Sequence, residues 1–318
     1  MPLSKASHTA KSFLQCYPYQ DYDLPYIKDG LKVQRHRAQV KLLDDLCDEG
    51  AQTSLVFKNE KIRGIVSWQR LAWDSAVFKK DVGRIEHLIL SEDITLGEGK
   101  IVIQSLLRRW RKCGLKYIVI RIPAVLVKTI NILERKGFEI VDGVNKQIFT
   151  LRERDFEVPR IRGISIVSFQ KKHESMVVKL SNAFYLDRFH SDPLVEKRVA
   201  DKVHRQWVLN SCRGLADQIF VASSGQKIVG FITCKIDTQA KKYFDLGLGI
   251  IVLVAVDQNF RNRGIAKALT LRSLNWFKSR NMQVAEIGTQ IHNMAATNAY
   301  LSVGFRLSCV YLTLRRAL

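Results

Sequence analysis

The sequence predicts a mixed α/β fold that occurs twice in tandem. Three observations carry this prediction: an internal repeat at an offset near 167 residues, the same order of strand and helix patterns in both halves, and a length suited to two domains. The chain has 318 residues, of which 47% are hydrophobic and 25% charged. At about 100–200 residues per domain, that length fits two domains with ample material for packed cores.

The repeat is read by placing each residue beside the one 167 positions later. Lys136-Gly137-Phe138 then falls beside Val303-Gly304-Phe305, Asn131 beside Asn298, and Gly97-Glu98-Gly99-Lys100 beside Gly264-Ile265-Ala266-Lys267. One position less sets Lys61-Ile62-Arg63-Gly64 beside Lys227-Ile228-Val229-Gly230. Each unit is far longer than a solenoid repeat, so two copies of one domain is the natural account. In the second copy, Ile164 to Phe169 reads as a strand, and Ser175 to Asp187 and Val195 to Cys212 read as helices. Gln218 to Ala222 and Ile228 to Ile236 read as a hairpin closed by Ser223-Ser224-Gly225-Gln226. Ile250 to Val256 is an apolar strand, and the loop Asp257 to Arg263 leads into a helix from Gly264 to Arg280. That helix sets Ala268, Leu271, Leu274 and Trp276 along an apolar face. Val284 to Thr289 is a strand, Ala295 to Val303 a helix, and Arg306 to Leu314 closes the unit. Mixed α/β follows from this order. Pro159 and alternating charge near Glu153 to Gly163 place the boundary, giving domains 1–158 and 159–318. The segment Met1 to Gln34, with Tyr17, Tyr19, Tyr22 and Tyr26, reads as an extended start to the first domain.

Composition narrows the function classes. No apolar run approaches the ~18–20 residues of a membrane-crossing helix, and no signal-peptide core follows Met1, so a cytoplasmic protein without membrane insertion is expected. The six cysteines form no CxxC pair and fit no zinc spacing, so no metal is expected and the thiols read as reduced. Lys and Arg number 51 against 30 Asp and Glu, a formal net charge of +21. Residues 1–160 hold 28 basic and 20 acidic residues, and residues 161–318 hold 23 and 10. Such a balance favours polyanionic partners, whether nucleic acid or small phosphorylated ligands.

One segment carries the chemistry: Val254-Ala255-Val256-Asp257-Gln258-Asn259-Phe260-Arg261-Asn262-Arg263-Gly264-Ile265-Ala266-Lys267. An apolar strand ends, a basic turn follows, and a helix begins at Gly264. The first N–H groups of a helix have no internal acceptor, and with the helix dipole they form an anion site. Gly264 lets backbone approach a diphosphate because it lacks a Cβ. Ala266 keeps the next turn narrow, and Arg261, Arg263 and Lys267 add positive charge.

Arg261-Asn262-Arg263-Gly264-Ile265-Ala266 resembles the acetyl-CoA loop of the GNAT superfamily of N-acyltransferases, Gln/Arg-x-x-Gly-x-Gly/Ala. The succession Asn293-x-x-Ala296-x-x-x-Tyr300-x-x-x-Gly304-Phe305 follows downstream, as it does in that superfamily. The resemblance implies tandem GNAT folds, each a mostly antiparallel mixed sheet flanked by helices, with acetyl-CoA as co-substrate. It implies that backbone amides from Arg263 through Ile265 and Ala266 to Lys267 hold the diphosphate. It also implies that the strand end Val254-Ala255-Val256 runs beside the pantetheine arm, that Asn293 touches that arm, and that Tyr300 gives a proton to the departing thiolate. The role of Tyr300 has an independent basis. Amine attack on a thioester expels a thiolate with pKa near ~8.5, which a phenol at ~10 can hydrogen-bond or protonate. The attacking amine must be neutral, yet the strand before the loop has no carboxylate. Asp245 and His292 are nearby and read as surface turns, so the general base stays unassigned.

The first copy reads Ile94-Thr95-Leu96-Gly97-Glu98-Gly99-Lys100 at the equivalent loop. Ile94 stands for Arg261, Leu96 for Arg263, Leu133 for Tyr300 and Leu126 for Asn293, and Glu98 would set a carboxylate beside a diphosphate. This copy is therefore expected to be degenerate and non-catalytic. Leu71 to Phe78, Val82-Gly83-Arg84-Ile85, Ala183-Phe184 and Arg188-Phe189 resemble dTDP-fucosamine acetyltransferases, in which a truncated GNAT-like domain precedes a complete one. That implies an amine-bearing small-molecule acceptor, first among them a nucleotide-linked amino sugar, with a homodimer as a further expectation. Two rivals stay open. One is N-acetylation of a protein, peptide or small amine; the other is a nucleic-acid-binding or acyl-CoA-sensing module without turnover.

Overall fold

Alternating apolar residues in the first half form five strands and three helices among the described residues before the repeat begins again. In the computed structural model, which describes residues 50–58, 61–151, 156–184 and 187–318 together with Lys41 and Asp45, the first set comprises β1 (Gln52–Lys58), β2 (Lys61–Arg70), α1 (Ala72–Phe78), β3 (Val82–Leu90), α2 (Leu96–Lys112), β4 (Tyr117–Pro123) and α3 (Val127–Glu134), followed by β5 (Glu139–Thr150). The second set comprises β6 (Ser165–Ser168), α4 (Glu174–Lys179), α5 (Arg188–Ser191), α6 (Lys197–Asn210), β7 (Gln218–Ser224), β8 (Lys227–Ile236), α7 (Thr238–Phe244), β9 (Leu248–Val256), α8 (Ile265–Ser279), β10 (Val284–Gln290), α9 (Met294–Val303) and β11 (Arg306–Ala317). The expected extended start over Met1 to Gln34 lies outside the described residues.

The repeat extends to fine detail. β1, β2, α1 and β3 reappear 166 positions later as β7, β8, α7 and β9 with identical lengths, and β4 and β5 reappear 167 positions later as β10 and β11. Both register irregularities of the first hairpin set, at Val56/Phe57 and Ser67/Trp68, recur at Ala222/Ser223 and Thr233/Cys234. Even the left-handed C-cap of α1, Lys79 at φ 53°, recurs in Asp245 at φ 52°, the C-cap of α7. Helix α7 has no counterpart in the expectations for the second copy, which assign nothing between Ile236 and Ile250.

The compact units differ from the linear split at 158/159. Unit 1 holds residues 1–143 and the C-terminal Val310–Leu318; unit 2 holds Val144–Cys309. The physical reason is strand pairing. Residues 311–317 of β11 pair antiparallel with β4, from Tyr311↔Pro123 to Ala317↔Tyr117. Residues 144–150 of β5 pair with β10, from Gln290↔Val144 to Val284↔Thr150. The later part of each repeat's last strand thus belongs to the other unit.

Within unit 1, Leu314 joins Trp110, Ile103, Leu107 and Ile132 in one buried cluster under α2 and α3. Within unit 2, Phe277, Leu269, Leu274, Ile287 and Tyr300 form the core under α8 and α9. A separate cluster of Val177, Val208, Phe231 and Leu253 lies under α4 and α6. The expected long helix over Ser175 to Asp187 is instead α4 followed by a 3-10 turn at Leu180–Ala183. No helix among the described residues is long and apolar enough to cross a membrane.

Candidate active site

The site begins where two parallel strands part. β9 and β10 pair over Leu248–Ile251 and Val284–Ile287 only, so from Val252 onward β9 has a partner on one side alone. On that side β8 pairs with it, and Val252 is the extra residue where Thr233↔Leu253 gives way to Cys234↔Ile251. A bulge of this kind bends its strand and sharpens the local twist. The N–H of Asp257 donates to the carbonyl of Val229 at 2.8 Å. By the two-residue alternation of strand backbone, the polar groups of Ala255 also face β8, and those of Val254 and Val256 face the opening. Arg261 Nε donates to the Val256 carbonyl at 3.4 Å. Val254 and Val256 thus present an extended edge, while Ala255 turns its side chain into the core.

The strand then feeds a basic turn. Asp257 caps the short 3-10 turn at Gln258–Phe260 by accepting from Asn259 N, and pairs with Lys227 Nζ at 2.8 Å. Arg263 and Lys227 both stand over the Phe260 ring, at 5.0 and 5.2 Å. Asn262 has φ 61° and Gly264 has φ 77°, a left-handed conformation in which glycine carries no Cβ penalty. Gly264 is the N-cap of α8, and no side chain caps that helix. A Cβ placed on Gly264 would meet nothing within 4 Å. The first intrahelical donor is Ala268 N, to the Gly264 carbonyl. The N–H groups of Ile265, Ala266 and Lys267 are therefore the unsatisfied donors of the helix start. Beside them is a cavity of about 690 Å³ lined by Arg160, Arg162, Arg263, Gly264 and Lys267, with Glu157 at its wall.

Tyr300 lies on α9 with its ring buried against Phe305, at a centroid distance of 6.3 Å. It shares the core cluster of Ile287, the last β10 residue before the strands part. Burial pushes the phenol's pKa up, because the phenolate loses its hydration there. Asn293 is the N-cap of α9: its side-chain oxygen accepts from Ala296 N at 3.2 Å. That leaves its side-chain N–H₂ as a donor. Asp245 is paired with Lys241 at an exposed turn, and His292 is exposed. Glu286, which sequence reasoning passed over, is buried on β10 one residue before Ile287 and pairs with Lys146 Nζ at 3.2 Å.

The equivalent corner of unit 1 has the same scaffold and different chemistry. β3 and β4 also pair over four residues and part after Ile85 and Ile120. The N-terminus of α2, however, is closed by its own side chains. Thr95 Oγ1 accepts from Glu98 N at 3.2 Å, and Glu98 Oε2 accepts from Thr95 N at 2.8 Å, a reciprocal capping box. Arg63 pairs with the same carboxylate at 3.5 Å. Gly99 serves packing, since a Cβ there would meet Ile132 at 2.3 Å. Leu133, in the place of Tyr300, is fully buried.

Known proteins resemble this chain in sequence and in fold. The model of the acetyltransferase (GNAT) family matches residues 179–305. Residues 179–305 are a GNAT acetyltransferase domain. The chain is 20% identical over 258 residues to the spore coat polysaccharide biosynthesis protein SpsD of Bacillus subtilis, spanning 79% of this chain and 82% of that one. It is 33% identical over 97 residues to N-alpha-acetyltransferase 30 of Schizosaccharomyces pombe, spanning 30% of this chain and 61% of that one. A solved tandem GNAT protein from the clavulanic acid biosynthesis pathway aligns with a TM-score of 0.54 at 12% identity, over 83% of both chains. The fold likeness therefore extends beyond the matched GNAT domain into unit 1. Arg160 and Arg162, which the sequence reading left in a linker, line the cavity beside the GNAT domain's basic turn. Their signal was a pair of arginines next to Gly163, whose φ of 74° turns the chain there.

Proposed function

We propose that unit 2 transfers an acetyl group from acetyl-CoA to a primary amine by direct attack, and that unit 1 is a non-catalytic copy. The observation that carries this reading is the contrast between two helix starts on one scaffold. The N-terminus of α2 is neutralised by Glu98, and that of α8 is open, glycine-led and ringed by Arg263, Lys267, Arg160 and Arg162. The amides of Arg263 to Lys267 hold the diphosphate, and Arg160 and Arg162 face the ribose 3′-phosphate. The outward edge of Val254 and Val256 aligns the pantetheine arm, to which Asn293 donates from its side-chain amide. The neutral amine attacks the thioester carbonyl, the carbon–sulfur bond breaks, the thiolate takes the Tyr300 proton, and the proton lost by the amine nitrogen passes through water to restore the Tyr300 phenol. Positioning of the two reactants supplies much of the remaining acceleration.

The acceptor we propose is a nucleotide-linked amino sugar. The likeness to SpsD over most of both chains supports a saccharide, and the basic surface suits its phosphates. The rival acceptor, a protein or peptide amine, has the local likeness to N-alpha-acetyltransferase 30 in its favour. Thiol release measured against dTDP-amino sugars and against short peptides separates the two. Substituting Gly264→Glu tests the cofactor site: the carboxylate enters the open helix start, and acetyl-CoA binding by calorimetry is expected to vanish. Retained affinity in a folded variant would refute the loop assignment.

A further inference from the structure

Away from the acetyl-CoA corner, three side chains that ligate metals converge in unit 2. Asp187 precedes α5, His190 ends its first turn, and His204 lies on α6. Asp187, His190 and His204 each offer one ligand atom, and these atoms all lie within 4.8 Å of one another. Asp187 Oδ2 and His204 Nε2 are 3.7 Å apart, and His190 Nδ1 contacts the same Oδ2 more closely. Asp187 and His204 are buried, and the His190 side chain is 9% exposed. We propose that this triad is a binding site for a divalent transition-metal cation, held by Asp187 Oδ2, His190 Nδ1 and His204 Nε2.

The supporting contacts argue for a built site. Each ligand's other polar atom is already committed. Asp187 Oδ1 accepts from Phe189 N at 2.7 Å and His190 N at 3.3 Å, which fixes the carboxylate. His204 Nδ1 lies 3.3 Å from the Ala200 carbonyl. A carbonyl only accepts, so Nδ1 carries the proton and Nε2 keeps its lone pair. His190 Nε2 lies 3.1 Å from Asp201 Oδ1, so a carboxylate holds the ring whose opposite nitrogen faces the triad. Carboxylate and carbonyl partners of this kind fix the tautomer and orientation of ligating histidines. Phe184 stacks on His204 at 5.5 Å and Phe189 meets it edge-on at 6.0 Å, giving an apolar shell. Ligand bonds of about 2.0–2.2 Å place donors roughly 3–3.5 Å apart, so the triad closes on a cation with small side-chain rotations. Two imidazoles and one carboxylate select a borderline metal over magnesium or calcium, and three protein ligands leave an open position. Binding displaces a proton from His190 Nδ1, which faces Asp187 Oδ2, and the cation offsets the cost of burying that carboxylate. The ion would clamp the start of α5 to α6.

The test uses the full chain stripped with a chelator. Zn²⁺ alone is titrated against a chromogenic indicator, in weak buffer with a pH dye. One equivalent bound below micromolar concentration, with proton release, is expected. Co²⁺ should give the visible absorption of a low-coordinate site. His190→Gln and His204→Gln should abolish that equivalent, with folding checked by circular dichroism. Asp201→Asn, at an exposed position, should keep the fold and weaken binding about 10–100-fold. No stoichiometric uptake by the wild-type chain overturns the proposal, as does equal uptake by all three variants. Either result leaves His190 as a structural link between Asp187 and Asp201.

Discussion

Tyr300 combines two properties that pull on its chemistry in opposite directions. Burial makes its phenolate expensive, so the group stays protonated well past the ordinary phenol range. It can then serve as a proton donor at every working pH and cannot serve as a base. Tyr300→Phe is expected to lower kcat tenfold or more with acetyl-CoA affinity intact, the size common for proton-transfer groups. The wild-type rate should show no loss from tyrosine ionisation below about pH 10. His87 makes a separate, structural statement. It is buried in unit 1 beside Ser67 Oγ at 2.6 Å, and burial, aided by Arg84, holds its pKa down to about 3. Between pH 6.5 and that value the unfolded chain binds a proton the folded one refuses, so stability present above 6.5 is lost as pH falls. Urea unfolding of unit 1 at pH 7.5 and 5.5 should differ by roughly 1.4 kcal/mol from this group, and His87→Gln should remove that difference.

Helix starts are the level at which the two copies diverge. Asn293 works as an N-cap, and its substitution by alanine should cost about 1 kcal/mol in thermal unfolding. Asn293→Asp keeps the cap and removes the side-chain donor. Weakened acetyl-CoA affinity with unchanged stability in that variant is expected if the amide meets the pantetheine; equal affinity confines Asn293 to the cap. At this level much was readable in the chain. The helix that starts after Gly264, the strands on either side and the hairpin of β7 and β8 follow from periodicity and turn chemistry. Helix α7 did not, because its seven residues span too few turns to display a period, although α1 at the repeat offset marks its place. Nor did the bulge at Val252, which arises from pairing across strands. Asp187, His190 and His204 were invisible for a related reason. Their spacings of three and fourteen residues match no linear motif, and only the packing of α5 on α6 joins them.

For the whole molecule, the decisive fact is that the repeat and the compact unit are different objects. Periodicity located the repeats well, with Pro159 marking a change of composition, but the exchange of final strands depends on partners far apart in the chain. A chain ending at Cys309 should keep acetyl-CoA binding in unit 2 and lose the cooperative unfolding of unit 1, since β4 is left without its antiparallel neighbour. Two transitions by circular dichroism in the full chain, reduced to one in the truncated chain, is the expected pattern; an unchanged pair would refute this dependence.

The exchange also imposes a timetable on biosynthesis. Everything unit 2 requires, from Val144 to Cys309, has been translated before the ribosome reaches Val310. The half synthesised first must hold its apolar faces open until Val310–Leu318 emerge, so it matures after unit 2. Ending translation after Cys309 would therefore injure the older part of the polypeptide and spare the younger.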